Sequence, residues 1–123
     1  SEPIYRRALA FWQQRGDLDE VAVSCNNLGA VCATLGRLSE AGELYAQAIT
    51  IKRARLGSGH PDLAISLHNL AVLRIRLGER DDAIELLRMA LEIFAQRLAP
   101  THPHRQRCQA RLDALLTTAA DDA

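Results

Sequence analysis

Two asparagines and two arginines are the residues whose types and spacing best fit recognition chemistry. Asn27 and Asn69 carry carboxamides, which both donate and accept hydrogen bonds and so can pair with the backbone of an extended peptide. Arg107 and Arg111 are four residues apart and would share one face of a helix, where charge-assisted hydrogen bonds to an acidic segment contribute about 1.5–3 kcal/mol each. Two alternatives stay open: each Asn bonds only within its own chain, and the arginines form a solvated helix face.

The histidines and glycines do not form a metal or phosphate motif. His102 and His104 could suggest a metal-ligand pair, but His102 repeats His60 in an equivalent linker and no Cys, Asp or Glu cluster stands nearby. We therefore predict no metal, and expect His60 and His102 to hydrogen-bond each linker to the helix that follows. The Gly-Ser-Gly sequence at 57–59 lacks the Lys-Ser/Thr of a phosphate loop, so no cofactor is predicted.

The cysteines indicate packing rather than catalysis. Cys25 and Cys32 are seven residues apart on one predicted helical face, and Cys108 makes the number odd, without zinc-type spacing. We interpret them as buried, reduced thiols, which favours a cytoplasmic location. With no nucleophile elbow, zinc-protease helix motif or isolated pair of carboxylates, the sequence predicts a protein that is not an enzyme.

The amino-acid composition is typical of a helical protein and disfavours two classes of partner. The 123 residues are 48% hydrophobic, with twenty Ala and nineteen Leu but few aromatics, a mixture that forms helices readily. Fifteen basic residues balance fifteen acidic ones, so no overall field would gather nucleic acid or an anionic membrane surface. No apolar run approaches the length of a membrane helix. We expect neither nucleic acid nor membrane as a partner.

An internal repeat organises these helices. Displacing the chain by 42 residues aligns 25–64 with 67–106, with thirteen identities in forty positions. The strongest matches pair Asn27-Leu28 with Asn69-Leu70, Leu35-Gly36 with Leu77-Gly78, Ala41 with Ala83, Glu43-Leu44 with Glu85-Leu86, Ala48 with Ala90, and His60-Pro61 with His102-Pro103. Weaker matching at both ends predicts a half repeat on either side of two full repeats.

Each repeat has the apolar spacing of a helical hairpin. The predicted core stripes comprise Cys25, Leu28, Cys32 and Leu35, then Leu38, Ala41, Leu44, Tyr45, Ala48 and Ile49, with a second set at Leu67, Leu70, Leu73 and Leu77, then Ala83, Leu86, Leu87, Ala90, Leu91 and Phe94.

Turn and capping residues mark the ends of these helices. Gly36 and Gly78 are expected as left-handed caps of the first helices, and Ser39 and Asp81 as N-caps of the second. We predict one continuous domain in four parts: a second helix of a truncated repeat at 1–16, repeats at 18–56 and 60–99, and a capping helix at 103–119.

These motifs resemble the tetratricopeptide repeat family, in the 42-residue variety of kinesin light chains. The resemblance rests on Asn26-Asn27-Leu28-Gly29, Leu35-Gly36, Ala41, Ala48 and their counterparts at 68–71, Leu77-Gly78, Ala83 and Ala90. It implies an all-α, right-handed superhelical solenoid of about six helices, with a concave groove that binds a linear protein or peptide segment. The groove residues placed by the repeat register are Asn26, Asn27, Asn69, Val72, Arg76, Arg107 and Arg111.

The same resemblance implies part of a carboxylate clamp. Asn69, Arg107 and Arg111 resemble the clamp of chaperone-binding arrays, whereas Asn26 and Ala30 occupy places where that clamp carries a Lys and an Asn. We therefore expect an acidic peptide rather than strict recognition of a C-terminal carboxylate.

A structural role is the alternative. The N-terminal half repeat is a second helix without its first, so Ile4, Phe11 and Trp12 are candidate stacking residues. They would pack on further repeats or on another copy, giving a scaffold or a homo-oligomer through this half repeat.

Overall fold

The fold is all-α over the described residues. The computed structural model describes residues 2–122, with side chains over 2–117, so Ser1 and the side chains of 118 and 119 from the predicted terminal segments lie outside it. The six helices are α1 (Glu2–Arg15), α2 (Leu18–Thr34), α3 (Leu38–Leu56), α4 (Pro61–Arg76), α5 (Arg80–Arg97) and α6 (Pro103–Asp122). The predicted number of helices is confirmed, while the division into repeats at 18–56 and 60–99 stays a prediction.

The turns within the hairpins depend on glycine. Gly36 and Gly78 have φ of +83° and +76°, a left-handed conformation that glycine adopts without steric cost, which confirms the predicted caps. The predicted N-caps at Ser39 and Asp81 are wrong, because α3 and α5 begin earlier and place both residues inside the first helical turn. Arg37 and Glu79 occupy the N-cap positions without a side-chain capping bond.

A His-Pro pair stands at the start of α4 and again at the start of α6. The Asp62 N–H donates to Nδ1 of His60 over 3.0 Å, and the His104 N–H donates to Nδ1 of His102 over 3.2 Å. Pro61 and Pro103 are the first residues of α4 and α6, where a missing N–H costs nothing. The predicted linker role of His60 and His102 is confirmed.

Residues 1–58 form the first of two compact units. In this unit α2 packs against both α1 and α3. Cys25, Cys32, Ala41 and Ala48 are fully buried, and no disulfide joins the cysteines. The interpretation as packed thiols is therefore confirmed. Leu35, predicted in the core stripe, is instead 55% exposed because α2 has ended before it.

Residues 59–123 form the second unit, in which α5 packs against α4 and α6. Its centre holds Leu87, Ala90, Phe94 and Cys108, all fully buried. Leu77 was also predicted in the core, and this prediction is wrong. Like Leu35, it follows the last residue of a first helix and is exposed.

Candidate functional site

A cationic cluster lies where α4 meets α6 within the second unit. The Nε of Arg111 donates to Nε2 of His68 over 3.2 Å, and Nη2 of Arg107 donates to Nδ1 of His104 over 3.0 Å. The His104 ring also stacks on Phe94, with centroids 6.0 Å apart. Each arginine thus rests against an imidazole, and both lie on α6, four residues apart.

The local electrostatics keep His68 neutral. Burial, and then the charges of Arg111, Arg107 and His104, lower the pKa of His68 to about 4. Burial and the neighbouring Arg107 also lower the pKa of His104. A neutral His68 has a lone pair with which to accept the Arg111 hydrogen bond, since a protonated imidazole has only donors.

Within the described part of the chain, the arginines of this cluster have no carboxylate to neutralise them. Among the described residues, neither Arg107 nor Arg111 makes a salt bridge, and both side chains are exposed. Guanidinium groups present planar sets of donors that match carboxylate geometry. The cluster therefore has the chemistry to bind an anionic group.

The other residues predicted for the groove in this unit lie along α4. Val72 and Arg76 follow His68 by four and eight residues and so share its face of the helix. Val72 and Asn69 are half-buried and Arg76 is exposed. Asn69 and Arg76 each already interact within the chain.

Asn26 and Asn27 lie on α2 in the first unit. Asn26 is half-buried and already interacts within the chain, whereas Asn27 is exposed. Asn27 borders a pocket of about 290 Å³ between α1 and α2. The pocket is lined by Tyr5, Asn27, Ala30, Val31, Thr34 and Leu35.

A second charged cluster links α1 to α3 and to the turn that precedes α3. Glu2 and Glu40 converge with the thiol of Cys32, a grouping that could hold a metal ion. Both carboxylates are already paired, however, because Arg6 bonds to Glu2 and Glu40 while Arg37 bonds to Glu2. The hydrogen bond from Arg6 is the main cause of the lowered pKa of Glu2, and burial raises the pKa of the Cys32 thiol. We interpret the cluster as an ion-pair network that packs the helices.

The predicted stacking residues lie on α1, which has no fully buried side chain. Ile4 is 63% exposed and Phe11 47% exposed, while Trp12 is half-buried and meets the Phe11 ring edge-to-face at 4.9 Å. The guanidinium of Arg15 lies 4.5 Å from the Phe11 centroid, within cation–π range.

A surface of mixed apolar and acidic character runs along α5 and reaches Leu116 of α6, and we call it the α5–α6 surface. It forms a shallow, open pocket of about 520 Å³, and Met89 and Leu116 on it are 38% and 37% exposed. It is lined by Asp81, Ile84, Glu85, Arg88, Met89, Glu92 and Leu116.

Sequence reasoning missed two features. The role of His68 in positioning Arg111 was not predicted, because that contact joins residues of two helices that are 43 positions apart in the chain. The α5–α6 surface was missed because it combines residues of α5 with Leu116 of α6, which only the packing of these two helices brings together.

Comparison with known proteins matches this repeat architecture. A family model described as tetratricopeptide repeat matches residues 1–54 and 20–96. The chain is similar to two crystal structures of a candidate kinesin light chain of Podosopora anserina with nearly identical TPR-like repeats. One of the two has a single substitution. Each is 26% identical in sequence to this chain and has a TM-score of 0.73. Each alignment covers 93% of this chain, but only 62% and 63% of the chains compared, so this chain spans less than two thirds of their length. No curated protein matches the chain. None of the described helices is both long and apolar enough to cross a membrane.

Proposed function

We propose, since this chain belongs to the tetratricopeptide repeat family, that it is a non-enzymatic module that binds a linear, acidic segment of another protein. Repeats of this family generally mediate protein–protein interaction or scaffolding. The groove that the family resemblance implies is the proposed binding surface.

The observation that carries the acidic preference is the pair of arginines on α6 that lack a carboxylate partner among the described residues. Because Nε of Arg111 is occupied by His68, its terminal nitrogens are oriented rather than free to rotate. A carboxylate arriving there would accept from donors that are already in place, which reduces the entropy lost on binding.

The polar residues of α4 would extend such a site. Asn69 offers a carboxamide for the peptide backbone, and Val72 offers apolar contact to a side chain. Arg76, eight residues after His68, adds a positive charge along the same helix face. In the first unit, Asn26 and Asn27 are the proposed peptide-binding residues of α2.

The three free cysteines, all buried, favour a reducing compartment, and we propose the cytoplasm.

A second candidate function is scaffolding by self-association. The observation that favours it is the exposure of Ile4 and Phe11, two large apolar side chains on one helix.

A peptide-array screen tests the binding proposal. Acidic, neutral and basic segments are presented to the parent chain and to the Asn69→Ala/Arg111→Ala variant, with the helical content of both checked by circular dichroism. Capture of acidic peptides by the parent alone supports the proposal. Equal capture by both proteins, or capture by neither, overturns the groove assignment and leaves scaffolding.

A further inference from the structure

We propose that a second copy of this chain docks its α1 helix on the α5–α6 surface, so that copies join head to tail. This inference rests on the second candidate function, self-association, and names the two surfaces that would perform it. Neither surface includes the arginines proposed to bind peptide.

The docking helix presents an apolar and basic stripe, which we call the α1 surface. It consists of Ile4, Arg7, Phe11 and Arg15, whose spacings of three and four residues place them on one helical face. All four are exposed, and among the described residues neither Arg7 nor Arg15 makes a salt bridge.

The receiving surface has the opposite charge. Asp81, Glu85 and Glu92 outnumber the single basic residue of the α5–α6 surface, and none of the three pairs with a cation in the described part of the chain. Exposed Met89 and Leu116 provide apolar contacts beside these carboxylates.

The complementarity of the two surfaces selects a second copy as the occupant. The α1 surface carries two arginines around Ile4 and Phe11, whereas the α5–α6 surface carries an excess of two carboxylates around Met89 and Leu116. Burying apolar side chains on both sides gives affinity, and the opposite charges favour this pairing over α1 against α1, where arginines would face arginines.

An interface between two different surfaces leaves one of each unfilled in every dimer. Such a contact continues into longer assemblies unless it closes into a ring. The proposal therefore predicts a series of species that grows with concentration, rather than a single dimer.

Two double variants separate the two surfaces. Ile4→Glu/Phe11→Glu alters the α1 surface, and Met89→Glu/Leu116→Glu alters the α5–α6 surface. All four side chains are exposed, so folding should be retained and is checked by circular dichroism. Glutamate is used at each position because it forms helices well and because two altered surfaces would then repel each other.

Sedimentation equilibrium of the parent, of each variant and of an equimolar mixture tests the proposal. We expect concentration-dependent association of the parent, monomers for each variant alone, and for the mixture a species of twice the 13.6 kDa monomer mass that grows no further. The mixed species arises because each variant retains the surface that the other has lost.

Three outcomes would overturn it. A parent that stays monomeric removes both this interface and the scaffolding function. A parent that associates while either variant still associates alone retains scaffolding but assigns it to other surfaces. Monomeric variants that fail to combine contradict the head-to-tail arrangement. Acidic-peptide capture by both double variants should match that of the parent, so a failure of peptide binding is read separately.

Discussion

Arg111 is held by His68: its Nε donates to Nε2 of the imidazole over 3.2 Å, within a cluster that carries two arginines. The neutral state of His68 is a condition of this bond, because a protonated ring would turn a donor and a positive charge toward the guanidinium. We therefore regard His68 as a positioning residue for Arg111.

This arrangement predicts a loss of stability in mild acid. The pKa of His68 is lowered from 6.5 to about 4 on folding, so between these values the unfolded chain binds a proton that the folded chain does not. The free energy of unfolding should consequently fall as the pH drops from about 6.5 toward 4. Urea unfolding of the parent and of His68→Asn across this range measures the effect.

The free energy of unfolding of His68→Asn should change less with pH than that of the parent. The variant lacks the titrating ring, although its carboxylates still titrate. Identical profiles for the two proteins would contradict the buried, neutral state assigned to His68.

Gly29 and Tyr45 form a close contact within the first hairpin. A Cβ added at Gly29 would lie 2.9 Å from both Cδ1 and Cε1 of the Tyr45 ring, closer than carbon atoms normally approach. Gly29→Ala should therefore cost on the order of 1–3 kcal/mol through overpacking, despite the higher helix propensity of alanine. Thermal or urea unfolding provides the measurement.

A double-mutant cycle with Tyr45→Ala is the control for that contact. The cost of Gly29→Ala should shrink when the ring is absent, since the clash is with the ring alone. An unchanged cost in the Tyr45→Ala background would show that the glycine is required for another reason.

Ala48 tests the small residues of the repeat. It is fully buried in α3, so Ala48→Leu should lower the free energy of unfolding by about 1–3 kcal/mol. The matched control is Ala46→Leu, which makes the same change at an exposed position two residues earlier in α3. Equal stability of the two variants would contradict the close packing described for this hairpin.

Ion pairs link α1, which has no fully buried side chain, to α3 and to the turn before it. Arg6→Ala removes the pairs with Glu2 and Glu40, and should speed hydrogen exchange of the α1 amides while α2 and α3 keep their protection. Gln14→Ala is the control on the same helix, since Gln14 is exposed, carries no charge and lies outside the α1 surface. Similar exchange in both variants would show that the network does not hold the helix.

Most of the fold could be predicted from sequence because each hairpin is encoded locally. The 42-residue period, the glycines at 36 and 78 and the prolines at 61 and 103 mark turns and helix starts without knowledge of tertiary contacts. Leu35 and Leu77 were misplaced because apolar periodicity continues past the residue at which the helix ends. The N-cap predictions at Ser39 and Asp81 were wrong because each second helix begins one residue earlier and has no side-chain cap.

The candidate site could be predicted only in part. The register placed Arg107 and Arg111 on one face, since spacing along a single helix suffices for that. It did not predict that His68 would hold Arg111, because contacts between helices depend on how they pack. The excess of carboxylates on the α5–α6 surface could not be predicted either, because the net charge of the whole chain is zero.

The most direct measurement is a fluorescence-anisotropy titration of a labelled glutamate-rich peptide against three proteins: the parent, Arg111→Ala and Arg53→Ala. Arg53 is an exposed arginine of α3 in the first unit, so the control removes the same charge from a helix that does not belong to the cluster. We predict that the parent and Arg53→Ala bind equally, and that Arg111→Ala binds roughly tenfold more weakly or worse, as expected for the loss of a charge-assisted hydrogen bond. Equal weakening by both substitutions, or unchanged binding by Arg111→Ala, would contradict the account.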